Sequence, residues 1–151
     1  MYTLIINTRG KEFIELRKKN IKQFIYIFPI LFLFSISAGF IKLGFSGYSI
    51  AIILLTFPVF FIVFQSSIIK PKNIVKNLII KIELNETDII FFTEDKSIKS
   101  KQVKPKSNLQ IFETTFQKYY TINSNSKEYF IFPEFFDNFK IIEHNINLGA
   151  I

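Results

Sequence analysis

The sequence contains no cysteine and no tryptophan, and it has a single histidine, His144. Without cysteine the chain forms no disulfide bond and offers no thiol nucleophile or thiolate metal ligand. One histidine is a weak basis for acid–base catalysis or metal binding, which usually recruit several convergent groups. The sequence also lacks a glycine-rich phosphate loop and a GxSxG motif. These absences predict a protein that is not an enzyme and that uses no cofactor or metal.

Charged residues are absent from two long stretches, Gln23 to Ile41 and Leu43 to Ile69. Each stretch provides the roughly 20 apolar residues that a helix needs to cross the hydrocarbon core. Neither has a polar face at helical spacing, and a small domain offers little protein to bury two such helices. We therefore expect a membrane protein with a two-helix transmembrane hairpin at 23–69, its spans at about 23–41 and 48–69. Since no small-residue cleavage site closes the first stretch, we expect a retained signal-anchor.

Basic residues flank both stretches and give the chain a net charge of +7. They are Arg9, Lys11, Arg17, Lys18, Lys19 and Lys22 before the first stretch, and Lys70, Lys72, Lys76 and Lys81 after the second. The positive-inside rule then places both termini of a multi-pass protein in the cytoplasm. Because such charges are the usual determinants of topology, we do not expect nucleic-acid binding.

Small residues cluster near the predicted outer ends of the spans. Ser35, Gly39, Gly44 and Gly47 are candidate helix-packing positions, because small side chains let backbones approach closely. The spacing of Ser35 and Gly39 could instead mark a dimer face. The stretches contain no ionisable residue, so they predict an anchor in the lipid bilayer and not a transporter acting alone.

The segments outside the stretches favour a small β-rich domain. After 74, short β-branched and aromatic pieces separated by turn residues predict five or six antiparallel strands: LIIKIEL, IIFFT, SIKSKQV, LQIFETTF, YYTIN and EYFIFP. NSNSKE predicts a hairpin turn between the last two. The pattern YTLIIN predicts an N-terminal strand that could join this sheet, followed by a helix within 1–22 that leads into the first span.

The ending of the chain changes to helical period. Phe135, Phe139 and Ile142 recur at i, i+4 and i+7, and Pro133 and Glu134 suit the first turn of a helix. The region 74–151 is thus expected to be an antiparallel sheet domain capped by a C-terminal helix.

A run of lysines has two interpretations. Lys96, Lys99, Lys101, Lys104 and Lys106 fall within KSIKSKQVKPK. They could form a solvated edge that resists aggregation, or they could contact anionic lipid headgroups close to the anchor.

The order of these segments resembles the YcxB-like family of small bacterial membrane proteins. The matching pieces are IELNETDIIFFTEDKSIKSK, similar to the first tail hairpin of that family, and YFIFPEFFDNFKIIEHNI, similar to its closing strand, proline and helix. Family members often carry a tryptophan after the second hairpin, where this chain has Val103 or Leu109. The resemblance implies a cytoplasmic pleckstrin-homology-like (PH-like) domain, a bent antiparallel sheet capped by a C-terminal helix, and brings no catalytic residues.

Four functions are compatible with this sequence. The leading one is a non-enzymatic inner-membrane protein that presents its cytoplasmic PH-like domain to a protein partner. The others are a membrane-bound immunity or regulatory protein, an accessory subunit of a membrane transporter, and an anionic-lipid-binding module.

Overall fold

The computed structural model describes residues 2–44, 46–85, 88–99, 103–111 and 114–147. The chain forms two compact units. The β unit comprises Met1–Leu16 and Asn73–Ile151, and the helical unit comprises Arg17–Lys72.

Two long helices supply the helical unit. Helix α1, Thr8–Leu43, begins in the β unit and contains the first predicted span together with its helical lead-in. Helix α2, Gly47–Phe64, is followed by a π-helical turn, Gln65–Ile69, and by helix α3, Lys70–Lys76. Both helices are long and apolar enough to span a membrane, and only 0% and 6% of their most apolar windows are buried. A core helix of a soluble protein would be mostly covered, so these helices are not core helices of the chain.

The ends of α1 are fixed by local chemistry. The Asn7 side chain caps its start, since Oδ1 accepts a hydrogen bond from the Gly10 backbone N–H at 3.0 Å. At the other end Gly44 has φ +64°, and its N–H donates to the Phe40 carbonyl at 2.9 Å. A glycine in this left-handed conformation is a common helix terminator.

The first sheet of the β unit has four antiparallel strands in the order β1-β2-β3-β4. They are β1 (Tyr2–Ile5), β2 (Lys81–Leu84), β3 (Ile89–Phe92) and β4 (Ser97–Lys99). Strand β1 pairs with β2 from Tyr2 opposite Leu84 to Ile5 opposite Lys81. The sequence left open whether the N-terminal strand joins the sheet of the tail, and in the structure it does.

A second antiparallel sheet contains β5 (Val103–Ile111), β6 (Thr114–Ser124) and β7 (Lys127–Ile131) in that order. The expectation of one sheet was wrong, and the segment before β2 shows why. The Ile79 N–H donates to the Phe130 carbonyl of β7 at 2.9 Å, while the Ile80 N–H donates to the Phe92 carbonyl of β3 at 2.8 Å. One extended segment thus turns from one sheet to the other.

Two hairpins differ in how well the sequence predicted them. LQIFETTF was expected to be one strand, but β5 ends at Ile111 and β6 begins at Thr114, so this piece forms a hairpin. The turn predicted at NSNSKE is confirmed. Asn125 and Ser126 have φ of 50° and 60°, the positive pair that a two-residue turn matched to strand twist requires.

The sequence predicted one helix that begins at Pro133, and this prediction was wrong. Pro133–Phe135 form a short 3₁₀ turn, and α4, Lys140–Asn147, begins later. The interruption occurs because Phe136 is extended (φ −127°) and pairs with Ile6 as an isolated bridge. The apolar positions were nevertheless predicted correctly, since Phe135, Phe139 and Ile142 are all buried.

Phenylalanines fill the centre of the β unit. The rings of Phe116 and Phe132 stack with centroids 4.0 Å apart, and Phe135 lies 5.3 Å from Phe132. Phe13, from the first turns of α1, meets Phe116 edge-on at 5.4 Å. Such aromatic pairs add about 0.5–1.5 kcal/mol each beyond their burial, so they attach the start of α1 to the sheets.

Candidate functional site

The structure separates the predicted lysine run into two groups. Lys96 lies in the turn between β3 and β4, and Lys99 lies on β4, both exposed. Lys104 and Lys106 lie exposed on β5. Lys101 lies outside the described residues. The run is therefore not one continuous basic strand.

Lys96 and Lys99 line a surface pocket of about 320 Å³ together with Lys127 from the start of β7. We call this the lysine pocket. Its remaining described lining residues are neutral: Ser97, Ile98, Ser124, Asn125 and Tyr129. Sequence reasoning missed Lys127 because it treated NSNSKE only as a turn. The available signal was a lysine directly after a two-residue hairpin turn.

Two short turns fix the backbone at Lys96 and at Lys127. Buried Thr93 fixes the first, because its N–H donates to the Lys96 carbonyl at 2.8 Å and its hydroxyl accepts from the Lys96 N–H at 3.1 Å. The Asn125–Ser126 turn sets the start of β7 at Lys127. The backbone of the pocket rim is thereby defined on both sides.

The lysine pocket carries little compensating negative charge. Lys99 has an acidic neighbour, Asp88, at 3.7 Å, and both side chains are largely solvated. Among the described residues, Lys96 and Lys127 form no ion pair. By contrast, Lys106 on β5 lies 2.5 Å from Glu128, and that hydrogen bond raises the pKa of Lys106. Of the two described lysines on β5, Lys106 is thus compensated, whereas two of the three pocket lysines have no described ion-pair partner.

A second pocket of about 410 Å³ lies on the other side of the same turn. It is lined by Asn73, Lys76, Asn77, Ser126, Lys127, Glu128 and Phe130. The Asn77 side-chain amide donates to the Glu128 carbonyl at 3.1 Å and so joins the segment after α3 to β7. Because Glu128 contributes a carboxylate, this pocket is less favourable for an anion.

A polar cluster attaches α4 to β6. Glu143 accepts hydrogen bonds from the Lys118 ammonium and, at 2.7 Å, from the hydroxyl of buried Tyr120. The bond from Lys118, followed by that from Tyr120, lowers the pKa of Glu143. Hydrogen bonding to Glu143 raises the pKa of Lys118, and burial raises the pKa of Tyr120. This cluster is a structural attachment and shows no reacting geometry.

The small residues of the spans do not bring the two helices together. A Cβ atom placed on Gly39, Gly44 or Gly47 would have no neighbour within 4 Å. The Ser35 hydroxyl donates to the Leu31 carbonyl within its own helix at 2.8 Å. The described structure thus shows no close approach of the hairpin at the three glycines, and helix packing at Ser35, Gly39, Gly44 and Gly47 stays a prediction.

Phenylalanine contacts join the two helices instead. Phe28 of α1 lies 5.5 Å from Phe60 and 5.2 Å from Phe64. Phe32 lies 4.9 Å from Phe60 and 6.0 Å from Phe57. The signal in the sequence was phenylalanine at i and i+4 on one stretch and at i, i+3 and i+7 on the other.

Each of the two sheets has two edge strands in the described part of the chain, β1 and β4 in the first sheet and β5 and β7 in the second. Among the described residues β4 pairs only with β3, and β5 pairs only with β6. Strand β5 is the longest of the four edge strands, at nine residues. An open edge presents backbone N–H and C=O groups that another chain can pair with.

Among the described residues, His, Asp and Glu side chains do not cluster into a site for metal binding. No three His, Asp or Glu side chains there lie close enough to hold a metal ion. His144 is exposed on α4.

The chain matches no family model, and comparison with curated proteins and with solved structures finds no match.

Proposed function

We propose that this chain is a non-enzymatic protein of the bacterial inner membrane that presents a cytoplasmic PH-like domain to a protein partner. The two apolar helices form the anchor, and the β unit forms the interaction domain. The resemblance to the YcxB-like family is part of this proposal.

The uncovered apolar helices support the anchor. A helix that exposes large side chains such as Phe34, Leu54 and Leu55 to water loses about 25 cal/mol per Å² of apolar surface relative to burial. Lipid removes that cost, and the basic residues on both flanks favour a cytoplasmic location for both ends.

The architecture of the β unit supports the PH-like assignment. Its strands are antiparallel throughout, the chain bends from one sheet to the next near Ile79, and α4 follows the last strand. These are the features that the resemblance implies, with the sheet divided in two.

The open edge of β5 carries the proposal of a protein partner. Proline cannot donate a ladder hydrogen bond, so Pro105 fits best where its nitrogen faces away from β6. Because N–H groups alternate along a strand, the N–H groups of Val103 and Ser107 then also face outward. They are available to an added strand, and the exposed Lys104 beside them favours an acidic one.

The test is to remove one outward donor without touching the β5–β6 ladder. Ser107→Pro deletes the N–H at that position, and Ser107→Ala keeps it. The tagged full-length variants are cross-linked mildly in native membranes, and the captured proteins are identified by mass spectrometry. A partner that is captured with the wild type and with Ser107→Ala, but not with Ser107→Pro, supports docking by strand addition.

Two outcomes contradict the proposal. Equal capture by Ser107→Pro would show that the partner does not use this edge. Capture of anionic lipid alone, with no protein at comparable amount, would show that the domain faces lipid and not a protein.

A further inference from the structure

We propose that the lysine pocket is a binding site for a phosphate-class anion, a phosphate ester or a diphosphate group, held by Lys96, Lys99 and Lys127. This site is separate from the open edge of β5, and the inference goes beyond the proposed protein partner.

The three lysines of the pocket come from two different sheets. Lys96 and Lys99 come from β4 and the turn before it, whereas Lys127 comes from the start of β7, about 30 residues further along the chain. Folding therefore brings three lysines to the lining of one concave surface. Concentrating like charges raises the local potential and has no benefit for folding, but it favours an anion.

Several cations elsewhere in the β unit have a carboxylate partner. Lys106 is paired with Glu128 at 2.5 Å, Lys81 with Glu83 at 2.6 Å, and Arg9 with Glu134 at 3.0 Å. At the lysine pocket the one described ion pair is that of Lys99 with Asp88 at 3.7 Å, and Glu94 and Asp95 precede Lys96 in its turn. Lys96 and Lys127 have no described ion-pair partner, and an anionic ligand can supply one.

The lining of the lysine pocket also offers neutral hydrogen-bond donors. Besides the ammonium groups, the hydroxyls of Ser97 and Ser124 and the amide of Asn125 can donate hydrogen bonds to an oxyanion. None of the described lining residues is acidic. Phosphate oxygens accept several such bonds at once, and Lys contributes to them as a point charge.

The volume of the lysine pocket suits a small ligand. A volume of about 320 Å³ is at the small end of the range for ligand pockets, roughly 300–1,000 Å³. One phosphorylated group fits that space, whereas a polynucleotide or a protein surface does not. The anion can come from a lipid headgroup or from a soluble phosphorylated compound, and the two sources can be separated by experiment.

The experiment uses the full-length protein in nanodiscs. Because the chain has no cysteine, Asp95→Cys in the exposed turn beside Lys96 carries an environment-sensitive dye at one position only. Inorganic pyrophosphate is titrated into phosphatidylcholine nanodiscs at constant ionic strength. In a second arm no pyrophosphate is added, and phosphatidylglycerol replaces part of the phosphatidylcholine.

Two of the three pocket lysines are tested against a matched control. Lys96→Gln and Lys127→Gln remove one charge at the pocket, and Lys104→Gln removes one charge on β5, where the side chain is exposed and does not line the pocket. We expect each pocket substitution to weaken binding about fivefold, the upper range for one partly solvated charge pair, and Lys104→Gln to leave it within twofold. Circular dichroism verifies that the exposed substitutions leave the fold intact.

The pyrophosphate titration and the phosphatidylglycerol nanodiscs together show whether the anion is a soluble phosphate or a lipid headgroup. A saturable response to pyrophosphate that depends on Lys96 and Lys127 supports a site for soluble phosphates. A response that requires phosphatidylglycerol and has the same dependence supports a headgroup site. The proposal is overturned if Lys104→Gln weakens binding as much as Lys127→Gln, since the attraction is then diffuse, or if neither anion changes the signal. Neither result bears on partner capture through β5.

Discussion

Gly10 lies at the closest contact between the start of α1 and the rest of the β unit. A Cβ atom placed there would lie 2.4 Å from Ile6 Cγ1 and 2.9 Å from Phe135 Cβ. Both neighbours are buried, and their backbones are held, since the Ile6 N–H donates to the Ile80 carbonyl and the Asn7 N–H donates to the Phe135 carbonyl, each at 2.8 Å. Gly10→Ala must therefore displace atoms that have little freedom to move.

The expected cost follows from two opposing terms. Overpacking a well-filled site costs about 1–3 kcal/mol, and alanine regains up to about 1 kcal/mol over glycine in a helix. The net loss is about 1–2 kcal/mol, which lowers the Tm of a domain of this size by about 5–10 °C. Gly39→Ala is the control for a glycine-to-alanine change elsewhere in α1, because a Cβ atom there has no neighbour within 4 Å.

Thermal unfolding of the full-length protein in micelles, followed by tyrosine near-ultraviolet circular dichroism, measures this loss. The signal reports on the β unit because the buried tyrosines Tyr119, Tyr120 and Tyr129 all belong to it. The penalty of Gly10→Ala should shrink in an Ile6→Ala background, where the contacting atoms are gone. A Tm for Gly10→Ala at or above that of the wild type would refute the close packing of α1 on Phe135.

Two further predictions concern α4 and the topology. The lowered pKa of Glu143 means that its bonds to Lys118 and Tyr120 stabilise the protein above the unfolded value of about 4.3 and are lost as the pH falls through the folded pKa. Glu143→Gln should therefore cost about 1 kcal/mol at neutral pH and flatten the acid limb of a Tm-against-pH profile; an unchanged acid limb would contradict the role of Glu143. For the topology, a single cysteine at Ser46 should react with a membrane-impermeant maleimide in intact cells, whereas one at Asp95 should react only after lysis. The reverse pattern would invert the proposed orientation.

Segments with a strong local signal were predictable from the sequence. The uncharged stretches gave two helices, the positive-φ turn at Asn125 and Ser126 was evident from its residue types, and the spacing of Phe135, Phe139 and Ile142 identified buried positions. Each of these features depends on residues that are close together in the chain.

The features that were missed depend on contacts between distant residues. Helical period at the end of the chain could not reveal the break at Phe136, which is imposed by its bridge to Ile6. Lys127 joins Lys96 and Lys99 only because two turns from different sheets meet. Small residues suggested where the helices approach, but the larger surface of Phe28, Phe32 and Phe60 forms the contact.

The pairing of β1 with β2 bears directly on the proposed topology. Helices α1 and α2 lie between these strands in the sequence, yet the strands share a four-residue ladder in one sheet. Strands can pair in this way only on the same side of a membrane, so an even number of spans must separate them. If only one of the two helices crossed the membrane, β1 could not pair with β2 and Leu4 would not be buried. The ladder is compatible with two crossings or with none, and the basic flanks independently favour one side of the membrane for both ends, as the proposed topology has them.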